Sequence, residues 1–165
     1  FCAIAERLLE NDIQLIILGM GDAGYEGYMR DLENRHRDKV RSLILYNRDM
    51  SRRIYAACDI FLMPSKSEPC GLSQMIACRY GTIPVVRRTG GLNDSITAYN
   101  TDRTTGNGFA FTNYNAHEML YVLKDAIYTF GNKPEWNKIV KCAMTTDFSW
   151  KKSAAEYEKL YDLFK

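Results

Sequence analysis

Short apolar runs alternate with amphipathic segments along most of the chain. Runs with the length of buried strands occupy residues 13–18, 40–46, 60–63, 83–86 and 108–111. Helical spacing of apolar positions occupies residues 1–10, 25–36, 50–58, 73–79, 93–98, 116–130, 135–144 and 150–164. This alternation predicts an α/β fold, with a Rossmann-like open parallel sheet covered by helices on both faces.

Length, charge and hydropathy narrow the class of protein. A chain of 165 residues, 46% hydrophobic and 25% charged, predicts one globular domain over residues 1–165. A net charge of +2 gives no reason to expect nucleic acid as a partner. No apolar run approaches the length of a membrane span, so we expect no membrane partner. The chain starts at Phe1 inside an apparent helix, and we expect a piece of a longer protein.

The cysteines favour a reducing compartment. There are five, an odd number, and no two have the CxxC spacing of a redox or zinc motif. Cys58 and Cys78 fall among apolar neighbours in predicted helices. We therefore expect free thiols and a cytoplasmic protein, or a plastid protein if the source is a plant.

The stretch at residues 65–91 carries the candidate chemistry. It follows the predicted strand at residues 60–63, and a predicted helix begins at Ser73. Ligands of open α/β sheets bind at the carboxyl ends of strands, and a helix start offers free N–H groups to a phosphate. Gly71 lets the backbone come close, and Glu68 can accept hydrogen bonds from sugar hydroxyls. A nucleotide sugar combines both kinds of group.

Each candidate in this stretch also has a simpler interpretation. Glu68 could be a solvated loop residue or a helix-cap charge, and Ser73 could belong to an ordinary helix start. Cys70 could be a nucleophile or a small residue lining the site; the two histidines, His36 and His117, are distant in sequence, which disfavours the nucleophile.

Other candidates stand outside this loop. Tyr46 ends a predicted strand and could stack on a base, with Tyr55 as a rival that is more typical of a core position. Gly19 and Gly21 form a weak phosphate-loop signal because a third glycine is missing. After the strand at residues 83–86, Arg87 and Arg88 could bind anions, although solvated or paired side chains are commoner. The aromatic residues of the last helix are at a spacing typical of packing: Trp150, Tyr157, Tyr161 and Phe164.

Long motifs identify a family. EPCGLSQ at residues 68–74 and YGTIPVVRRTGGLNDSI at residues 80–96 closely resemble the donor-binding half of bacterial glycogen synthases and plant starch synthases. LGMGD at residues 18–22, AACDIFLMPS at residues 56–65 and DFSWKKSAAEYEKLY at residues 147–161 extend the resemblance over nearly the whole chain. These enzymes have two Rossmann-like domains in the GT-B arrangement, and the resemblance covers the second.

The resemblance implies roles for single residues. Glu68, Cys70 and Gly71 would contact the donor glucose, with Glu68 needed for transfer. Gly71, Leu72 and Ser73 would bind the diphosphate, and Tyr46, which stands twenty-two residues before Glu68, would stack on adenine. Possible supporting positions are Gly19, Gly21, Thr89 and Gly90.

The resemblance further implies a retaining transfer of glucose from ADP-glucose, with UDP-glucose as the alternative donor, to the non-reducing end of an α-1,4-glucan. It implies no cofactor and no metal ion. The acceptor glucan would bind the other domain, to which the last helix, about residues 149–165, would cross back. That domain and an upstream segment would carry basic phosphate ligands, so this piece alone should bind nucleotide weakly and be inactive.

One position departs from the wider group of related enzymes. Many retaining transferases have a second glutamate eight residues after the first, where this chain has Ile76. Glucan synthases lack it too, so the departure favours the narrower family, and it leaves the ribose contact open. Two alternatives remain: another retaining GT-B transferase, such as a sucrose- or trehalose-type enzyme, and a non-catalytic module that binds nucleotide or glucan.

Overall fold

A computed structural model describes residues 1–164 and confirms the order of strands and helices. The strands are β1 (Leu15–Leu18), β2 (Val40–Leu43), β3 (Ile60–Met63), β4 (Ile83–Arg87) and β5 (Phe109–Phe111). The helices are α1 (Ala5–Leu9), α2 (Ala23–Arg35), α3 (Arg48–Ala57), α4 (Ser73–Tyr80), α5 (Gly91–Ser95), α6 (Ala116–Gly131), α7 (Lys133–Thr145) and α8 (Trp150–Asp162). Short 3₁₀ turns at Cys2–Ile4 and Tyr99–Thr101 precede α1 and β5.

Two boundaries differ from the sequence prediction in ways that affect the site. Strand β2 ends at Leu43 because the next residues turn away from the ladder, with the Leu45 amide donating to the Leu43 carbonyl at 3.0 Å. Tyr46 therefore lies on a loop and not at a strand end. Cys58 follows α3 as its C-cap instead of lying inside the helix.

All strand pairs are parallel, but the described strands form two sheets instead of one continuous sheet. One sheet pairs β1 with β2, and the other has the order β3-β4-β5. Strand β4 is central in its sheet: Val85 pairs with Leu62 on one side and with Phe109 on the other. Residues 83–86 are fully buried, as expected for a parallel strand covered on both faces.

A cavity of about 610 Å³ separates the two sheets, and we call it the interstrand cavity. It is lined along both strands that border it, from Leu15 to Leu18 in β1 and from Ile60 to Leu62 in β3. The core is divided in the same place. A small cluster around Leu32 and Val40 packs against β1, while the main cluster packs against β3, β4 and β5.

Helices α6 and α7 close the main core at the carboxyl-terminal side. Trp136 of α7 stacks near Phe109 at a centroid distance of 6.4 Å and meets Phe130 of α6 edge-on at 5.3 Å. The first pair joins α7 to β5 and the second joins α6 to α7, so the Trp136 side chain links both helices to the sheet.

Helix α8 does not join this core. Every described residue of α8 is exposed, and Trp150, at its start, is 89% exposed. The aromatic residues of α8 are therefore exposed within residues 1–164, although their spacing is typical of packing. The predicted extension of this helix to Lys165 lies outside the described residues. No helix within residues 1–164 is both long and apolar enough to cross a membrane.

Candidate functional site

The loop between β3 and α4 holds Glu68 half-buried at the carboxyl end of β3. The Ser65 hydroxyl donates to Glu68 Oε2 at 3.5 Å. Arg87, at the end of β4, braces the same loop: its Nε donates to the Ser65 carbonyl at 2.9 Å and its Nη2 donates to the Lys66 carbonyl. The Arg87 guanidinium is thus hydrogen-bonded to backbone carbonyls of the loop, which supports the interpretation of Arg87 as a paired side chain and not as an anion binder.

The turn at residues 70–73 has the features of an anion site. Gly71 has a φ of +75°, which side-chain-bearing residues rarely adopt. Helix α4 begins directly afterwards, and no described side chain caps its amino end. Because the first amides of a helix lack partners within it, those of α4 are available to a bound anion, and the helix dipole adds favourable charge. Cys70 and Leu72 are exposed on this turn.

Gln74 is a site residue that sequence reasoning missed. It is fully buried, and its Nε2 donates to the carbonyls of Cys70 at 3.2 Å and Gly71 at 2.8 Å, and to Ser95 Oγ at 3.0 Å. These bonds tie the turn to α5. The available signal was helical spacing: Gln74 shares its buried face with Ala77 and Cys78, three and four residues on. A polar residue on that face needs buried partners.

Gly90, the N-cap of α5, and Gly91, its first residue, pack directly on the Glu68 loop. The Gly91 amide donates to the carbonyls of Glu68 and Pro69, both at 3.2 Å. A Cβ built on Gly90 would lie 2.1 Å from the Glu68 carbonyl oxygen, and one on Gly91 would lie 2.2 Å from that of Cys70. No larger residue fits either position without moving the loop. The structure therefore brings Glu68, Cys70, Gly71, Gly90 and Gly91 together.

Thr89 lies between β4 and α5, whereas Tyr46, Gly19 and Gly21 lie on loops of the sheet formed by β1 and β2. Tyr46, on the loop after β2, is 84% exposed, so its ring is accessible to a ligand. Its rival Tyr55 packs on Phe61 at a centroid distance of 5.4 Å, as expected for a core residue. Gly19 and Gly21 follow β1, and the Gly21 amide donates to Glu26 Oε1 at 3.0 Å.

The five cysteines are all free, and two of them differ sharply in environment. Cys70 is exposed on the turn at residues 70–73. Cys78 lies four residues after Gln74 on the same face of α4 and is fully buried. Burial raises the pKa of its thiol to about 12, and Cys142 makes a smaller contribution in the same direction. Cys78 is therefore protonated at neutral pH and has a structural role. Among residues 1–164, no group of three or more His, Cys, Asp or Glu side chains could hold a metal ion.

Comparison with known proteins places this site in context. The family glycosyl transferases group 1 matches residues 2–129. The glycogen synthase of Bacillus cereus (strain Q1) is 49% identical over 158 residues, and that of Lachnospira eligens is 51% identical over 162 residues, each covering 96% of this chain. The catalytic domain of starch synthase IV from Arabidopsis thaliana, solved with ADP and acarbose, superposes with a TM-score of 0.82 over 97% of this chain at 38% identity.

These similarities confirm the predicted resemblance to glycogen and starch synthases and the α/β fold. The chain spans about a third of the length of the relatives it matches: 33% and 34% of the two glycogen synthases and 34% of the starch synthase chain.

Proposed function

The chain belongs to the glycosyl transferases group 1, and from this premise we propose that it forms the donor-binding half of a glucosyltransferase that elongates an α-1,4-glucan from ADP-glucose. The observation that carries the proposal is the turn at residues 70–73, where the uncapped start of α4 adjoins Glu68 at the end of β3. The site thus offers amide donors for a diphosphate beside a carboxylate for sugar hydroxyls.

The turn would serve the leaving group. When the bond between glucose and diphosphate breaks, negative charge grows on the diphosphate oxygens. Amides of Gly71, Leu72 and Ser73 at the helix start would stabilise that charge more strongly in the transition state than in the bound donor. Gln74 holds the Cys70 and Gly71 carbonyls from behind, so the amides need little rearrangement when charge develops.

Glu68 would orient the donor glucose. Its carboxylate accepts the Ser65 hydroxyl, and the carbonyls of its loop are bonded by Arg87 and Gly91. A carboxylate on a braced loop can hold two neighbouring sugar hydroxyls in one orientation. Cys70, exposed next to Gly71, would line the sugar pocket without a covalent role. Gly90 permits the close approach of α5 to this loop, while Thr89, Gly19 and Gly21 stay proposed supporting positions.

Adenine is the base we propose, with Tyr46 as its stacking partner. Two observations support this assignment: the open ring of Tyr46 and the ADP named in the starch synthase structure, which is 38% identical. Neither cofactor nor metal ion forms part of the proposed reaction.

The rest of the full-length protein would complete the enzyme. We propose that the chain is a single Rossmann-like nucleotide-sugar domain and that a preceding domain binds the glucan. The exposed apolar residues of α8 would pack on that domain, which explains why they find no core here. We also propose a cytoplasmic location, supported by the five free thiols. Alone, the chain should be inactive.

Calorimetric titration of the full-length protein with ADP and with UDP tests the base assignment. ADP should bind more tightly, and Tyr46→Ala should remove that preference, because base stacking contributes about 1–3 kcal/mol. Tyr128→Ala is the matched control, since Tyr128 is 82% exposed but lies on α6, away from the loops after β2 and β3. Equal binding of UDP, unchanged by Tyr46→Ala, would contradict the adenine site.

A second measurement separates an enzyme from a binding module. Glu68→Gln keeps the size of the side chain but removes its charge, so glucose transfer should fall while ADP affinity holds. A non-catalytic module would show no transfer in the parent protein, and a sucrose- or trehalose-type transferase would reject the glucan as acceptor in a screen of acceptors.

A further inference from the structure

Three exposed tyrosines follow α6 at intervals of seven residues. Tyr114 directly precedes Asn115, the N-cap of the helix, while Tyr121 and Tyr128 lie within it. Seven residues make nearly two helical turns, so Tyr121 and Tyr128 share one face of α6 at a spacing of about 10.5 Å. The three tyrosines are 67%, 74% and 82% exposed, so packing of the core does not explain them. We call these three side chains the tyrosine row.

The tyrosine row begins beside the Glu68 loop. The guanidinium carbon of Arg87 lies 5.8 Å from the centre of the Tyr114 ring, which is a cation–π contact. The same guanidinium donates to the carbonyls of Ser65 and Lys66 in the Glu68 loop. A single side chain therefore connects the first ring of the row to the candidate site.

From that point the row leads away from the site. Helix α6 begins shortly after β5 and packs on both β5 and β4. Because it starts at the carboxyl end of β5, it runs back toward the amino ends of the strands. The row from Tyr114 to Tyr128 spans roughly 20 Å. One small molecule cannot contact all three rings, so the row suits an extended polymer.

The carboxylates on this side of α6 are already paired. Glu118 accepts the amides of Thr112 and Asn113 at 2.7 and 2.9 Å. Asp125 accepts from the guanidinium of Arg103. Both acidic groups thus have their charge satisfied within the domain, and neither is available to recognise a basic partner.

Basic residues are sparse on α6 as well. Within Ala116–Gly131, the basic side chains are His117 and Lys124. Single-stranded nucleic acid also stacks on aromatic rings, but it requires a positively charged groove along its backbone. A row of rings without such a groove favours a neutral polymer.

A sugar polymer has the chemistry that these rings can recognise. The C–H groups on the face of a glucose ring are apolar and pack on the electron-rich face of an aromatic ring, while a tyrosine hydroxyl can bond the sugar hydroxyls. Among residues 1–164, no hydrogen-bond partner occupies the hydroxyl groups of Tyr121 and Tyr128. Tyrosine also has few rotatable bonds, so little conformational entropy is lost on binding.

We propose that the tyrosine row binds a length of α-1,4-glucan that extends from the candidate site along α6. This inference rests on the proposed function, which names the glucan as acceptor, and it adds a contact in this domain to the one expected in the preceding domain. Each ring would stack on one glucose unit, and the units between the rings would bridge them. The row would keep a long acceptor near Glu68 between successive transfers.

Affinity electrophoresis of the full-length protein in gels that contain glycogen measures this binding without any sugar donor. Tyr121→Ala and Tyr128→Ala should each weaken glycogen binding about twofold to tenfold, and the double variant by about tenfold. Phenylalanine at both positions keeps the rings and should retain most of the binding. Tyr25→Ala is the matched control, because Tyr25 is 64% exposed but lies on α2.

Transfer kinetics then separate the row from the reaction site. Maltose has only two glucose units, so it cannot occupy the reaction site and reach Tyr121 and Tyr128. The double alanine variant should therefore raise the KM for glycogen about tenfold and leave kcat/KM for maltose unchanged. Titration with ADP involves no glucan, so Tyr128→Ala stays a valid control for the base assignment.

Three results would overturn the proposal. The double alanine variant could bind glycogen as tightly as the parent protein, or phenylalanine could weaken binding as much as alanine does. The double variant could instead keep its glycogen binding and lose a dimer in size-exclusion chromatography, which would assign the row to a second copy of the chain. Failure of the proposed function has a different signature: the parent protein would transfer glucose neither to glycogen nor to maltose, whatever the row binds.

Discussion

Gly91→Ala isolates the close packing between α5 and the Glu68 loop. The new Cβ would lie 2.2 Å from the Cys70 carbonyl oxygen and 2.5 Å from its Cα, whereas ordinary contact begins at 3.4 Å. The obstructing atoms are backbone, so the loop must retreat by about 1 Å. Alanine keeps the Gly91 amide that donates to Glu68 and Pro69, so the change is purely steric.

We expect two consequences of this retreat. Overpacking should lower the free energy of unfolding by about 1–3 kcal/mol. Displacement of Glu68 and Gly71 by about 1 Å should lower the rate of glucose transfer on the order of a hundredfold.

The assay is calorimetric unfolding of the full-length protein together with steady-state transfer kinetics. Gly27→Ala is the control, because Gly27 lies inside α2 with no atom within 4 Å of the built Cβ. Removing a glycine from a helix interior should stabilise the protein by about 0.5–1 kcal/mol and leave transfer unchanged. A Gly91→Ala protein with a Tm within about 2 °C of the parent and full activity would refute the reasoning.

Three further changes test the site and its support. Gln74→Leu leaves the Cys70 and Gly71 carbonyls without their side-chain donor, so the free energy of unfolding should fall by about 1–3 kcal/mol in calorimetry. The KM for the sugar donor should rise, and an unchanged KM would contradict the positioning role. Iodoacetamide at pH 8 should label exposed Cys70 quickly, and added ADP should slow that labelling. Cys78 should react only after unfolding, because burial raises the pKa of its thiol to about 12; faster labelling of Cys78 than of Cys70 in peptide mass spectrometry would contradict this. Asn115→Ala removes the cap that accepts from the first amides of α6 and should cost about 1 kcal/mol in the same unfolding assay, and no loss would show that the cap is dispensable.

Local patterns in the sequence were sufficient to predict most elements. The apolar run at residues 60–63 became β3 with the predicted bounds, because a short apolar segment followed by Pro64 can hardly adopt another buried structure. The order of strand, loop and helix placed Glu68 and Gly71 correctly for the same reason: a strand end and a helix start are set by residues close in sequence.

Contacts between distant residues were not predictable in this way. Gln74 meets Ser95 across twenty-one positions, and Gly91 meets the Glu68 loop, through packing that no local pattern encodes. Arg87 looked like an anion binder because its charge is visible in the sequence, but its carbonyl partners at Ser65 and Lys66 are not.

The sequence by itself determined the types of element, their order and the turn that offers amides beside a carboxylate, because each depends on neighbours within a few residues. Only the tertiary structure decided that the parallel strands divide into two sheets and that α8 stays exposed. An apolar strand or an amphipathic helix has the same sequence pattern whether its partner lies in this chain or elsewhere. Whether the apolar face of such an element is buried depends on the element that packs against it, and that contact exists only in the assembled fold.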